Sequence, residues 1–212
     1  MGLKNKRILI TAGPTWVPID SVRVVSNTAT GETGILLAER LQSLGASVTL
    51  LLGPADCRGL KVKIKTIRFR FFDQLLKIIK RELGAKRYDA LIHSAAVSDY
   101  RPAKKYGSKI KSGESVWRLG LVPTPKIIDL IKKIDRYVFL VGFKFAPEVK
   151  KGILINETNK LIERAKLDLA VANTVNGKRY KAFILGKKIM LGPFSTKSRL
   201  IRKLSDILED NL

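Results

Sequence analysis

Apolar positions along the chain follow two rhythms that alternate. Residues 7–12 (RILITA) form a short apolar run ending at Gly13, which predicts a buried strand. Residues 31–44 place Ile35, Ala38, Leu41 and Leu44 at helical spacing, and Gly45 ends that helix. Residues 47–52 (SVTLLL) predict another buried strand, closed by Gly53-Pro54. Over 61–67 charged and β-branched residues alternate, as in an edge strand with one solvated face. A helix over 71–83, a strand over 88–97, a helix over 124–134 and a strand over 137–143 follow. Thr124 is the expected cap of the 124–134 helix, with Pro125 at its first position. A helix over 156–165, a strand over 167–172, a hairpin of 182–185 with 188–191, and a helix over 195–208 complete the order. Strands and helices alternating in this way predict an α/β fold: a doubly wound, mostly parallel, Rossmann-like sheet with a small hairpin. Residues 98–122 lack either rhythm and read as a long flexible flap of about 100–122 within a single domain, 1–212.

Composition adds charge to that picture. Against 18 Asp and Glu stand 41 Lys and Arg, a net +23 that favours polyanionic partners such as phosphorylated substrates or nucleic acid. The basic residues are spread along the chain, and aromatics are only 7% with no stacking pattern among them, which disfavours a dedicated nucleic-acid binder. The lone cysteine, Cys57, rules out an internal disulfide framework and reads as a bystander thiol. No apolar run reaches membrane-span length, and the N-terminus lacks a signal peptide, so the expected setting is the cytoplasm, without membrane association.

Ligands of parallel sheets bind beyond the carboxyl ends of the strands. Four such ends are chemically suggestive: Gly13-Pro14-Thr15, Ala95 to Asp99, Gly142-Phe143-Lys144 and Ala172-Asn173. No G-x-G-x-x-G follows the first strand, and no acid closes the second to hold a ribose. Instead Thr28 and Thr30 can cap the first helix, while Gly31 and Gly34 bare backbone N–H groups at its positive end, an anion site. Asn27 can donate its amide to a developing oxyanion or simply close a turn. Asp99 can bind a base or Mg²⁺, or pair with Arg101, and Lys109 and Lys111 can close over a polyphosphate or merely be solvated. His93, inside a buried strand, reads as a satisfied core histidine, and no metal-ligand spacing occurs.

The segments ITAGPT, PIDSVRVVSN, TGETG, LGASVTLLLGP, AAVSDYRP, KIKSG and VGFK, in this order, resemble the phosphopantothenate–cysteine ligases. The likeness runs from Ile8 through Asn173. It implies a ligase of coenzyme A biosynthesis that joins 4′-phosphopantothenate to L-cysteine through an acyl-nucleotide. The co-substrate would be CTP, or alternatively ATP, with its Mg²⁺. The resemblance makes Asn27 and the flap lysine Lys109 the catalytic pair, with Asn27 stabilising the acyl-nucleotide. Gly13, Thr15, Ala95, Ala96, Asp99, Lys109, Lys111, Phe143, Lys144 and Asn173 would hold the nucleotide. Thr30, Gly31 and Gly34 would meet substrate phosphate at the helix N-terminus. A homodimer is implied as well. Because the chain begins at the ligase's first strand, no flavin is expected, and a flavin-dependent decarboxylase would be a separate protein. Two departures, Ala29-Thr30-Gly31 where the family has Ser-Ser-Gly and Ser112 after Lys111, leave CTP and ATP both open, with CTP favoured. They also leave room for a nucleotide-binding relative without catalysis.

Overall fold

Strand β1 (Arg7–Ala12) is buried from its second residue to its last, as the unbroken apolar run predicts for a strand covered on both faces. In the computed structural model, which describes residues 2–55, 63–113 and 115–212, it is an interior strand of the main sheet. After β1 come β2 (Trp16–Pro18), β3 (Val24–Ser26), α1 (Glu32–Ser43), β4 (Ser47–Leu52), β5 (Lys65–Arg68) and α2 (Phe72–Ala85). Next are β6 (Ala90–His93), β7 (Tyr100–Pro102), β8 (Leu121–Pro123), α3 (Ile127–Ile134), β9 (Phe139–Phe145) and α4 (Lys151–Ala165). The chain closes with β10 (Leu169–Asn176), β11 (Arg179–Gly186), β12 (Met190–Phe194) and α5 (Lys197–Asn211). Cys57 and the first residues of the strand expected over 61–67 lie outside the described residues.

Eight described strands form the sheet in the order β12-β11-β10-β9-β6-β1-β4-β5. From β5 to β10 every neighbouring pair is parallel; β11 and β12 add an antiparallel hairpin at one edge. The doubly wound, mostly parallel fold expected from the alternation is therefore present. Side chains on alternate strand positions enter two cores. Ile8, Ile10, Val48, Leu50 and Val141 pack with α1 and α5, whereas Leu9, Leu51, Leu91 and Leu140 pack with α2 and α3. Helix α5 shows why its pattern was readable: Leu200, Ile201, Leu204 and Leu208 make one buried stripe.

Among the boundaries that differ from the sequence expectation, three have a clear tertiary reason. Helix α3 begins at Ile127 with Lys126 as its cap. Thr124 is spent elsewhere: its N–H donates to the Asp99 carbonyl at 2.9 Å and its hydroxyl to the Ser98 carbonyl at 2.6 Å. Helix α4 starts at Lys151, ahead of the expected 156, because Leu154 is buried against Ala172, Phe183 and Leu185. Burial there outweighs the weak helical propensity around Gly152. Residues 98–122 are not wholly irregular, since β7 and β8 pair as an antiparallel stem, Tyr100 opposite Pro123. Three-residue strands that each contain a proline carry too little alternation to be read from sequence.

Two titratable groups are built into the cores. Burial alone would raise the Glu82 carboxyl, but hydrogen bonds from Lys86 Nζ (2.8 Å) and the Tyr88 hydroxyl (2.7 Å), with the Lys86 charge, outweigh it and hold the pKa at about 2. Burial lowers His93 to about 4, so its ring is neutral at physiological pH and pairs through Nδ1 with the Thr11 hydroxyl at 2.9 Å. It is the satisfied core histidine expected. Both folded values lie below the ordinary ones of 4.5 and 6.5, so the folded chain binds fewer protons than the unfolded chain and stability falls as pH drops. Resistance to urea unfolding should weaken first as pH falls from about 6.5 to 4, through His93, and again from about 4.5 towards 2, through Glu82. The Glu82 share should be on the order of 3 kcal/mol. Glu82→Gln should be less stable at pH 7 yet lose less below pH 4.5; an unchanged acid slope would remove Glu82 from this account.

Candidate functional site

The winding order creates a crevice. From β1 the chain proceeds outward to β4 and β5, then returns to β6 on the opposite side of β1 and continues to β9 and β10. Beyond β1 and β6 the connections therefore leave in opposite directions, and the space between them is where a doubly wound sheet receives a ligand. Two hairpins guard that end, β2–β3 after β1 and β7–β8 after β6, with β2 beside β7.

The crevice floor is backbone. Gly13 (φ 82°) and Gly31 (φ 75°) both adopt the left-handed conformation that glycine tolerates best. A Cβ on Gly31 would stand 3.1 Å from the Gly13 nitrogen and 3.2 Å from Ala55 Cβ, so the start of α1 rests on the end of β1. Gly34 is closer still: a Cβ there would meet Ala12 Cβ at 2.5 Å and Ser94 Oγ at 2.6 Å. Gly53, at the end of β4, lies against the Pro14 carbonyl and the Phe69 ring. Small residues from three elements thus achieve the close approach that a glycine-rich loop achieves within one.

After His93 the strand expected to continue to 97 leaves β9 but stays beside β1. Ser94 N donates to the Thr11 carbonyl (3.1 Å), Ala96 N to the Gly13 carbonyl (3.0 Å), and Thr15 N to the Ala96 carbonyl (3.2 Å). The Ala96 carbonyl also accepts from Asn27 Nδ2 at 3.0 Å. That bond occupies one amide hydrogen and orients the side chain, leaving the second hydrogen and Oδ1 to address a ligand. Thr15 is fully buried, and its hydroxyl accepts from Ser98 N at 2.9 Å, so it braces the floor from beneath.

Above the floor lies the N-terminus of α1. Neither Thr28 nor Thr30 supplies a side-chain cap; Thr30 Oγ1 accepts only a long 3.4 Å bond from Glu32 N, and Gly31 occupies the cap position. First-turn N–H groups without a cap present a partial positive charge to an anion. Beyond β6, strands β9 and β10 run on as a wall. His93 pairs with Gly142, so Phe143 to Phe145 project past the end of β6, and Asn173 pairs with Phe145. Asn173 Oδ1 is buried with no hydrogen-bond partner, an acceptor left open. Phe143 packs on the α1–α5 side. Lys144, one position on, points to the opposite face, where its charge reaches Glu157 of α4.

Asp99 pairs with Lys126 Nζ at 2.5 Å rather than with Arg101, and both side chains remain accessible. Lys109 and Lys111 are exposed in the flap and have no ion-pair partner among the described residues. The structure thus gathers Gly13, Asn27, Gly31, Gly34, Ala95 and Ala96 at the crevice, sets Phe143 and Asn173 along its wall, and leaves Lys144 on the far face. Sequence reading assigned no role to Lys126 or Asp20. Proximity of Lys126 to Asp99 depends on the hairpin stem; Asp20 carried a local sign, since Pro-x-Asp favours a turn closed by its own carboxylate. No group of three or more metal-ligating side chains occurs among the described residues, and none of their helices is long and apolar enough to cross a membrane.

Residues 3–190 match the family described as the DNA/pantothenate metabolism flavoprotein C-terminal domain. A coenzyme A biosynthesis bifunctional protein CoaBC from Thermococcus kodakarensis is 38% identical over 220 residues, covering 99% of this chain and 52% of that protein. The crystal structure of the DNA/pantothenate metabolism flavoprotein from Streptococcus pneumoniae superposes with a TM-score of 0.84 at 27% identity, covering 97% of this chain and 99% of that one. The C-terminal domain of a CoaBC protein gives a TM-score of 0.77 at 27% identity over 98% of each chain. The chain spans about half the length of the curated relatives it matches.

The glycine contacts are open to direct test. Gly34→Ala gains helical propensity, up to about 1 kcal/mol. It must also displace strand atoms, which costs about 1–3 kcal/mol in a packed interior. The clash should win, and denaturant unfolding should show net destabilisation. Gly152→Ala, with nothing within 4 Å of the added carbon, should be neutral or stabilised by about 0.5–1 kcal/mol. A Gly34→Ala protein as stable as the parent would show that α1 does not press on β1.

Proposed function

Because the chain belongs to the DNA/pantothenate metabolism flavoprotein C-terminal domain family, we propose that it is a phosphopantothenate–cysteine ligase acting in coenzyme A biosynthesis. The observation that carries this reading is the tethered amide of Asn27, aimed by the Ala96 carbonyl beside the uncapped start of α1. Such a pairing suits a reaction in which a carboxylate is activated by a nucleoside triphosphate and then attacked by an amine. The triphosphate and the substrate phosphate bring anions to the α1 N-terminus. Acyl transfer builds negative charge on an oxygen, where a pre-oriented donor acts without reorganising.

In this proposal the pantothenoyl carboxylate of 4′-phosphopantothenate attacks the α-phosphorus of CTP, releasing pyrophosphate. The amine of L-cysteine then attacks the acyl carbon and expels the nucleoside monophosphate. Gly13, Ala95 and Ala96 give the nucleotide a close-fitting backbone floor, and Phe143 with the open Asn173 acceptor lines its side. Asp99 and Lys126 sit at the mouth, and Lys109 and Lys111 supply unpaired cations for the phosphates. Mg²⁺ accompanies the triphosphate and neutralises part of its charge; the described residues offer it no separate cage. Lys144 serves the far face of β9, toward Glu157, and takes no part at the crevice. Apolar side chains exposed on the two guarding hairpins, among them Val24, Tyr100, Leu121 and Val122, support a homodimer joined at this corner.

With Mg²⁺, 4′-phosphopantothenate and L-cysteine, the purified protein should release pyrophosphate, faster with CTP than with ATP. Asn27→Ala should lower the rate by about 10²–10³, the usual loss for one oxyanion donor, with an unchanged unfolding midpoint. Wild-type turnover in that variant would remove Asn27 from the chemistry. Nucleotide binding without pyrophosphate release in the parent protein would make it a non-catalytic relative.

A further inference from the structure

The turn between β2 and β3 contains a carboxylate placed where few are found. The Asp20 side chain has no exposed surface. Oδ1 accepts from the N–H groups of Val22 (2.8 Å) and Arg23 (2.7 Å), which shapes its own turn. Oδ2 does something else: it accepts from the N–H of Ile110 at 3.2 Å, ninety positions along the chain, and from Arg23 Nη1 at 2.9 Å. The same Arg23 nitrogen donates to the Ile110 carbonyl at 3.4 Å, and the guanidinium lies 5.3 Å from the centre of the Trp117 ring. Nearby, Tyr106 N donates to the Ile19 carbonyl at 3.0 Å. The flap between β7 and β8 is thus fastened to the β2–β3 turn at Tyr106, Ile110 and Trp117.

Ile110 stands between Lys109 and Lys111. Both of its backbone polar groups are taken by Asp20 and Arg23, while the two lysine side chains have no ion-pair partner among the described residues. A carboxylate needed only for its own turn would spend its oxygens within residues 20–23; this one reaches across to the flap.

We propose that Asp20 is a positioning residue, a buried latch that, with Arg23, pins the flap backbone at Ile110 and so fixes where Lys109 and Lys111 are presented to a polyphosphate. The latch is a matter of flap geometry; only what the lysines then do rests on the ligase reading. Burial by itself would raise the Asp20 carboxyl, but the amides of Val22, Arg23 and Ile110 and the Arg23 charge outweigh it, so the group stays ionised and able to hold. Charge-assisted hydrogen bonds to an ion of this kind are among the stronger ones, and losing one makes local opening roughly tenfold easier or more.

Trypsin reads the latch without any substrate, because Lys104, Lys105, Lys109, Lys111 and Arg118 all lie in the flap. In Asp20→Asn the Asn amide would face the Ile110 N–H, donor against donor. Nicking at Lys109 and Lys111 should then run roughly tenfold faster than in the parent protein, with global unfolding little changed. Equal nicking rates in a folded variant overturn the proposal. Should the variant not fold, hydrogen exchange on the parent protein decides: the Ile110 amide should exchange roughly tenfold or more slowly than those of Gly107 and Ser108, and equal exchange overturns the latch. With CTP as the varied substrate, Asp20→Asn should raise KM about tenfold and leave kcat within about threefold, the split expected when ground-state and transition-state binding are lost together. Loss of kcat with nicking at Lys109 and Lys111 unchanged would assign Asp20 to the chemistry and overturn a positioning role. Faster nicking in the variant, together with no pyrophosphate release from the parent protein, would keep the latch and discard the ligase reading.

Discussion

How near α1 can come to β1 decides almost everything at the ligand end of this molecule. Two strand termini and a helix start meet there with nothing larger than an alanine methyl or a serine hydroxyl between them, and the contact at Gly34 would be violated by a single carbon. That approach brings the open N–H groups of α1 over the β1–β6 crevice. It also sets Asn27 where its amide reaches the Ala96 carbonyl. Had the first turn of α1 stood a side chain's width away, the helix would still pack through Leu37, Ala38 and Leu41, but its dipole would address solvent.

Charge is distributed by a division of labour. With 41 basic residues and 18 acidic ones, most cations have no acid to pair with and cover the surface. Several acids, by contrast, organise the fold. Asp168 accepts from Lys132 at 2.7 Å and from the Leu140 amide at 2.7 Å, tying α3 to β9. Asp89 accepts from the Arg7 amide at 2.7 Å at the opposite end of the sheet from the crevice. Glu82 holds Tyr88 and Lys86. Exposed pairs such as Lys160–Glu157 contribute little by comparison. The field of +23 therefore acts at long range on anions, while the acids act at short range and hold the fold.

Much of the fold was legible because its strands and helices are long enough to show a period. β1 and β4 agree with their predicted limits to the residue, and α5 differs by a few positions at each end. What escaped was short or tertiary: β2 and β3, the β7–β8 stem, the early start of α4. The candidate site divides in the same way. Gly13, Asn27, Gly31 and Gly34 were visible as an unusual loop, and the crevice now brings them together. The Lys126–Asp99 pair and the hold of Asp20 on Ile110 join positions twenty-seven and ninety residues apart, and no local pattern encodes them. Lys144 marks the limit of reading strand ends as single points, because neighbours on a strand face opposite ways.

Spreading the glycines over β1, β4 and α1 also affects how such a site can change. A self-contained phosphate loop is a cassette: it can be lengthened, re-lettered or moved between scaffolds while its neighbours stand still. Here the recess has no part of its own. Gly53 directly follows a strand whose residues fill the core, and Gly34 belongs to a helix that braces the sheet. Reshaping the recess for a larger or smaller occupant means moving walls of the building, so variation in ligand choice has freer ground on the hairpins and at the mouth than on the floor.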